Sequence, residues 1–132
     1  MAHSVAVPES LCRALERLLG APVAQVRVFE HSWYARLHGR RAVATTRRER
    51  IYLRGSAREF FADPRLMLHE YCHVVRQWRG GRLTVGRYLA ECLRRGYWNN
   101  RFEIEARDFA DRHAAQLHAL LAASQPSSAS RR

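Results

Sequence analysis

Two histidines four residues apart are the residues of this sequence best suited to chemistry. They belong to the segment His69-Glu70-Tyr71-Cys72-His73, an H-E-x-x-H pattern. Residues four apart on a helix lie on one face, one turn apart, so both imidazoles can reach a single zinc ion at about 2.0–2.1 Å. Glu70 follows the first histidine, where its carboxylate can accept a proton from a water that the metal activates. The pattern therefore predicts His69 and His73 as metal ligands and Glu70 as general base.

Two carboxylates further along the chain could supply the third protein ligand that a catalytic zinc site needs. Glu103 and Glu105 stand near the start of a predicted helix, about 200° apart around its axis, so only one of them can face the metal. The predicted buried stripe of this helix consists of Phe102, Ala106, Phe109, Ala110, His113 and Leu117. Glu103 lies at the edge of that stripe, beside alanines that allow a close approach to the metal helix. The spacing favours Glu103 as the ligand and leaves Glu105 on the surface.

The elements that must position these residues can be read from local patterns. Asp63 and Pro64 are a cap and a first-turn signal for the metal helix, which should end near Trp78, before two glycines. Further helices are predicted over residues 9–19, 84–95 and 100–121, strands over 23–29, 42–46 and 50–53, and a helical turn over 56–61. The last two strands should form a hairpin.

The length of 132 residues and the 47% hydrophobic content are typical of one domain with a core. We predict a single domain over residues 1–123 and a disordered Ser-rich tail over 124–132. The chain contains neither an apolar stretch of membrane-spanning length nor the basic start of a signal peptide, which predicts a cytoplasmic protein unless a specialised system exports it. The three cysteines form no C-x-x-C pair and are predicted to be buried thiols.

The charge of the chain is strongly positive, and arginine carries all of it. The formal net charge is +11, and each of the 23 basic residues is an arginine. Such a balance favours polyanions, since arginine binds phosphate in bidentate fashion. The arginines are dispersed, however, and the densest cluster, Arg40-Arg41 with Arg47, Arg48 and Arg50, lies in the predicted hairpin without a recognised nucleic-acid-binding module. We therefore expect no specific nucleic-acid partner.

The motifs together resemble a known family. They are N-x-x-E-x-E-A-x-x-F-A over residues 100–110, the Asp-Pro pair before the metal helix, and H-E-Y-C-H-V-V-R-Q over residues 69–77. Over about residues 20–117 the chain resembles the eCIS core domain, a family of small gluzincin-like domains found near extracellular contractile injection systems and toxins. The resemblance implies an α+β fold of minimal gluzincin-like (zincin) type, with a small antiparallel or mixed sheet beside the metal helix and a helical C-terminal half. It also implies one Zn²⁺ per chain, held by His69, His73 and Glu103, with Glu70 as the catalytic base.

The sequence departs from the family pattern at two positions. The family usually has Asp four residues after the ligand Glu, where it can support a metal-binding histidine, but this chain has Arg107 there. Asp108 or Asp111 would have to substitute for it. Cys72 takes the place of a small residue inside the H-E-x-x-H helix, and we predict a packed thiol, with a soft metal ligand as the alternative.

Other groups are candidates for binding the substrate. Tyr88, Tyr97 and His113 could each stabilise an oxyanion, judged by residue type alone. The strand at 51–53 could bind an extended peptide along a free edge.

The expected activity is that of a zinc-dependent metallopeptidase that hydrolyses peptide bonds. Its substrate would be a protein or peptide, and the resemblance implies association with a contractile injection system or toxin system. We expect a monomer that binds no membrane. Two alternatives stay open: a non-catalytic, zinc-stabilised module that binds protein or nucleic acid, and a basic nucleic-acid-binding protein with incidental histidines. Metal content separates the last from the others, and turnover that depends on Glu70 separates the first two.

Overall fold

The computed structural model describes residues 4–36 and 43–124, which form an α+β fold with a small mixed sheet and a largely helical C-terminal half. The elements in chain order are β1 (Ser4–Val5), α1 (Glu9–Leu19), β2 (Arg27–Phe29), α2 (Trp33–Arg36), β3 (Ala44–Arg47), β4 (Arg50–Leu53), α3 (Ala57–Phe61), α4 (Pro64–Cys72), a π-helical segment (His73–Trp78), α5 (Val85–Arg95) and α6 (Arg101–Ser124). The predicted α+β class is confirmed.

Local cap signals account for the ends of the main helices. The Asp63 side chain accepts a hydrogen bond from the Leu66 N–H at 3.1 Å, and Pro64 is the first residue of α4. Thr84 caps α5 in the same way. Helix α1 ends at Gly20, whose φ of 70° is a left-handed conformation that glycine adopts without a side-chain clash. These bounds agree with the prediction because each signal acts within one turn of the helix.

The helix that carries both histidines changes its hydrogen bonding after Cys72. From His73 to Trp78 it is π-helical, and the Arg79 N–H donates to the Val74 carbonyl, five residues back, at 3.0 Å. The predicted end at Trp78 is confirmed, but the widened last turns were not predicted. Single π turns inside helices are frequent at functional sites.

The sheet has the strand order β1-β2-β4-β3, in which β2 and β4 run parallel and the other pairs antiparallel. The hairpin of β3 and β4 is confirmed. The prediction that residues 51–53 form a free edge is wrong, because β4 is paired on both sides. Within the described residues the edge beside the metal helix belongs to β3, where the Trp78 indole N–H donates to Thr46 Oγ1 at 3.1 Å. Of the predicted strand 23–29 only Arg27–Phe29 pairs, and the two-residue β1 was not predicted.

Helix α4 lies at the centre of the core and packs most extensively against α6. Its side chains Met67, Leu68 and Tyr71 are fully buried in one cluster with residues of the sheet and α1. On α6 the facing residues include Ala106 and Ala110, also buried, whose small side chains let the two backbones come close. This packing brings the start of α6 to the histidines.

Helix α6 ends at Ser124, so the first residue of the predicted tail is helical. The rest of that tail, 125–132, and the Arg40-Arg41 pair lie outside the described residues. No helix within 4–36 and 43–124 combines the length and apolar character that crossing a bilayer demands.

Candidate metal centre

The two histidines lie side by side where α4 passes into the π-helical segment. Their ring centroids are 4.9 Å apart in an edge-on arrangement. His73 is buried and His69 is partly exposed, so the pair is open to solvent from one side. Together with Glu70 they form a group whose potential ligand atoms all lie within 4.8 Å of one another, and this group could hold a metal ion.

Glu103 is the carboxylate in direct contact with both rings. Its Oε1 lies 2.9 Å from His69 Nε2 and 3.1 Å from His73 Nε2. Neighbouring ligand atoms in a tetrahedral zinc site with bonds of 2.0–2.1 Å are about 3.3 Å apart, so both separations are near the value that shared coordination requires. Glu70 Oε1 is farther, 4.0 Å from His69 Nε2. Of the two carboxylates, Glu103 on α6 is therefore the one that lies at ligand distance from both rings, and Glu70 lies farther from His69.

Gln77 fixes the orientation and the tautomer of His73. Its Nε2 donates to the Phe102 carbonyl and to Glu105 Oε1, each at 3.0 Å, and neither of these groups can donate in return. Gln77 Oε1 must then accept from His73 Nδ1, at 2.7 Å. With the Nδ1 proton held by Gln77, Nε2 is the ring nitrogen that faces the Glu103 oxygen, and it is the nitrogen that would bind a metal once its own proton is lost.

Tyr88 holds the other oxygen of Glu103. Its hydroxyl donates to Glu103 Oε2 at 2.5 Å, a charge-assisted hydrogen bond at the short end of the usual range. Asn100 stabilises the same junction, since its Nδ2 donates to the Tyr88 carbonyl at 3.3 Å and its Oδ1 accepts from the Phe102 N–H at 2.9 Å. These contacts fasten α5 to the start of α6.

The proposed oxyanion residues have different positions. The Tyr88 hydroxyl already donates its hydrogen bond to Glu103. Tyr97 is exposed but near the site: partial burial and the charges of Glu103 and Glu70 raise its pKa to about 12. His113 lies against Phe109, with ring centroids 4.6 Å apart, about 15 Å along α6 from Glu103 at 1.5 Å per residue. The structure excludes His113 from the site.

Burial and the charges within the site shift the pKa values of its groups. Burial raises the pKa of Glu70, although the two histidines partly oppose this. Burial alone would lower the pKa of His73, but its hydrogen bond to Glu103 and the charges of Glu103 and Glu70 raise it to about 9. For Glu103, hydrogen bonds from both histidines outweigh burial and hold its pKa well below the usual range. The raised pKa of His73 and the lowered pKa of Glu103 both favour an ion pair between these two side chains.

Among the described residues, neither alternative aspartate pairs with His69 or His73. Arg107 stacks on the Trp98 ring, with 3.9 Å from the guanidinium carbon to the ring centroid, and donates to the Trp98 carbonyl. Asp111 pairs with Arg65 at the surface, and Asp108 lines a separate cavity of about 580 Å³. The residue that supports a histidine is Gln77, four positions after His73, and its role was missed because glutamine in this position has no distinctive pattern.

Cys72 is fully buried among apolar core residues, and burial raises the pKa of its thiol to about 12. Among the described residues it does not belong to the group that could hold a metal. The prediction of a packed thiol agrees with this position, but the prediction that all three cysteines are buried is wrong, because Cys12 and Cys92 are partly exposed.

Comparison with known families agrees with the motifs. The model of the eCIS core domain matches residues 6–81, which is 76 of the 132 residues. The chain belongs to the eCIS core domain family. The match begins earlier than the predicted resemblance over 20–117 and ends before α5, so it includes the H-E-x-x-H segment of this eCIS core domain but not Glu103. Searches of curated proteins and of solved structures gave no match.

Proposed function

We propose that this eCIS core domain is a zinc-dependent metallopeptidase with one Zn²⁺ per chain, held by His69, His73 and Glu103. The observation that carries the proposal is the single Glu103 oxygen within 3.1 Å of both Nε2 atoms. Two imidazoles and one carboxylate are a ligand set of catalytic zinc sites, which keep a further position open. Zinc suits this mixed nitrogen and oxygen set better than magnesium or calcium, which prefer oxygen ligands alone.

Zinc bound there would supply a Lewis acid that activates water and polarises the scissile carbonyl. The protein residues have separate roles around it. Glu70 is buried next to the ligand group but lies outside the Glu103 contact, so its carboxylate is available to take a proton from water and pass it to the leaving amine. Gln77 and Tyr88 fix the ligands before substrate arrives.

An extended peptide would bind along β3, the sheet edge beside the metal helix. The Trp78–Thr46 hydrogen bond keeps this edge against the π-helical segment that begins at His73. Backbone hydrogen bonds to an edge strand bind peptides with little dependence on side chains. The substrate would accordingly be a protein or peptide, and association with a contractile injection or toxin system, which the family suggests, can be tested by co-purification.

The decisive experiment compares Glu70→Gln with the unaltered protein. The amide keeps the shape of the side chain but cannot accept the proton, so cleavage of a broad peptide library should fall by about 10²–10⁴-fold while the metal content stays near one equivalent. Glu9→Gln, a change of an exposed carboxylate on α1, is the matched control and should leave both quantities unchanged.

Equal cleavage by Glu70→Gln and the unaltered protein would remove Glu70 from the mechanism. One zinc per chain with no chelator-sensitive cleavage by either protein would instead favour a binding module that zinc stabilises. A metal content well below one equivalent after dialysis against zinc would refute the site itself.

A further inference from the structure

Helix α5 exposes an apolar stripe. Val85, Leu89 and Leu93 follow one another at intervals of four residues, so they line one side of the helix over about 12 Å. Their exposed fractions are 47%, 55% and 90%. We call these three residues the α5 stripe. Contiguous exposed apolar surface of this kind often marks an interaction site.

Contacts on another side of the helix keep the α5 stripe facing outwards. Tyr88 is hydrogen-bonded to Glu103, and buried Glu91 forms an ion pair with Arg101 at 2.8 Å. Asn100 adds a hydrogen bond to the Tyr88 carbonyl. Rotating α5 to bury the stripe would break these polar contacts, so the exposure is part of the folded arrangement.

The surroundings of the α5 stripe are positively charged. The only acidic residue of α5 is the buried Glu91, which forms an ion pair with Arg95 at 3.6 Å, whereas Arg87 and Arg94 are exposed. A second copy of this chain would bring another formal charge of +11 to the same surface. Electrostatic repulsion therefore disfavours self-association here, and charge complementarity selects an acidic partner.

The shape of the stripe favours a helix as that partner. Gly86 and Ala90 lie beside the stripe on the exposed surface, and an added Cβ at Gly86 would meet no atom within 4 Å. Small residues next to an apolar ridge let another helix approach closely. A helix that lies in a bilayer surface would instead present large apolar side chains across a wide face, whereas the apolar side chains of α5 form one narrow stripe with Gly86 and Ala90 beside it.

We propose that the α5 stripe is a docking surface for an acidic amphipathic helix of another protein. Its apolar side chains would pack against Val85, Leu89 and Leu93, and its carboxylates would face the arginines. The proposal goes beyond the peptidase reaction and does not depend on it, since it rests on the exposed side of α5 and not on His69, His73 or Glu103.

The test uses synthetic helical peptides of about 18 residues with a leucine seam. One peptide carries glutamates beside the seam, a second carries lysines, and a third is a scrambled form of the first. Fluorescence anisotropy measures binding, and amide shifts in NMR spectra locate it. The glutamate peptide should bind at least about tenfold more tightly than the other two, shift α5 amides, and lose affinity as salt rises.

The double variant Leu89→Ser/Leu93→Ser should weaken that binding by at least about tenfold with an unchanged melting temperature, because both side chains are exposed. Val43→Ser, at a valine outside α5 that is 58% exposed, is the matched control and should bind normally. Three results would overturn the proposal. The first is that the protein binds all three peptides equally or binds none of them. The second is that it binds only vesicles that contain phosphatidylserine. The third is that the protein self-associates in sedimentation experiments and the double variant does not.

Discussion

Replacing Tyr88 by phenylalanine should weaken zinc binding while the fold persists. The substitution keeps the ring and removes only the hydroxyl, which donates to Glu103 Oε2 at 2.5 Å. That hydrogen bond leaves Oε1 directed at the two histidines. Without it the carboxylate can rotate, and the ligand geometry has to be restored each time the metal binds.

The size of the effect follows from the kind of contact that is lost. A hydrogen bond to a charged group contributes about 1.5–3 kcal/mol. A loss of about 1.4 kcal/mol lowers affinity tenfold, so zinc should bind roughly 10–100-fold more weakly, the range typical of residues that support a ligand. Because the bond also joins α5 to α6, the metal-free variant should melt at a lower temperature as well.

Competition with a chromophoric chelator measures the zinc affinity, and circular dichroism measures the melting temperature. Tyr97→Phe is the matched control, because Tyr97 lies near the site but no hydrogen bond joins it to Glu103 among the described residues. An affinity for Tyr88→Phe within about twofold of the unaltered protein would refute the positioning argument. So would an equal loss in both variants.

Four further outcomes are expected. Glu103→Ala should lower zinc affinity by orders of magnitude and Glu105→Ala only modestly, since Glu105 is linked to His73 only through Gln77. Chelator competition would rank the two affinities, and the reverse order would make Glu105 the third ligand. Gln77→Leu should weaken zinc binding by about 10–100-fold, and the proton of His73 should no longer be held on Nδ1. Nitrogen NMR of the imidazole would detect the change of tautomer. Ala110→Leu should destabilise the fold by about 1–3 kcal/mol in urea titration, because the larger side chain forces α4 and α6 apart; an unchanged midpoint would contradict their close packing. Binding to DNA or RNA should be weak and indifferent to sequence and should fall steeply with salt. A tight, selective complex at physiological salt would contradict our expectation of no specific nucleic-acid partner.

The sequence alone determined the parts of the site that depend on helical geometry. His69 and His73 share a face because four residues make about one turn, and the Asp63-Pro64 signal begins their helix within the same local stretch. The period of α6 likewise separated Glu103 from Glu105, and the structure brings Glu103 to the histidines. Each of these inferences concerns residues that are close in the chain.

Only the tertiary structure decided how those parts are supported. The central place of β4, the contact of Tyr88 with Glu103, and the role of Gln77 all involve elements that meet after the chain has folded. Gln77 bonds to Phe102 across 25 residues, and no local periodicity encodes such a pairing. The same holds for α5, whose sequence predicts a helix, whereas its exposed side is a result of how the chain packs. Periodicity shows that a helix has an apolar side, whereas the packing of the whole chain determines whether anything covers it.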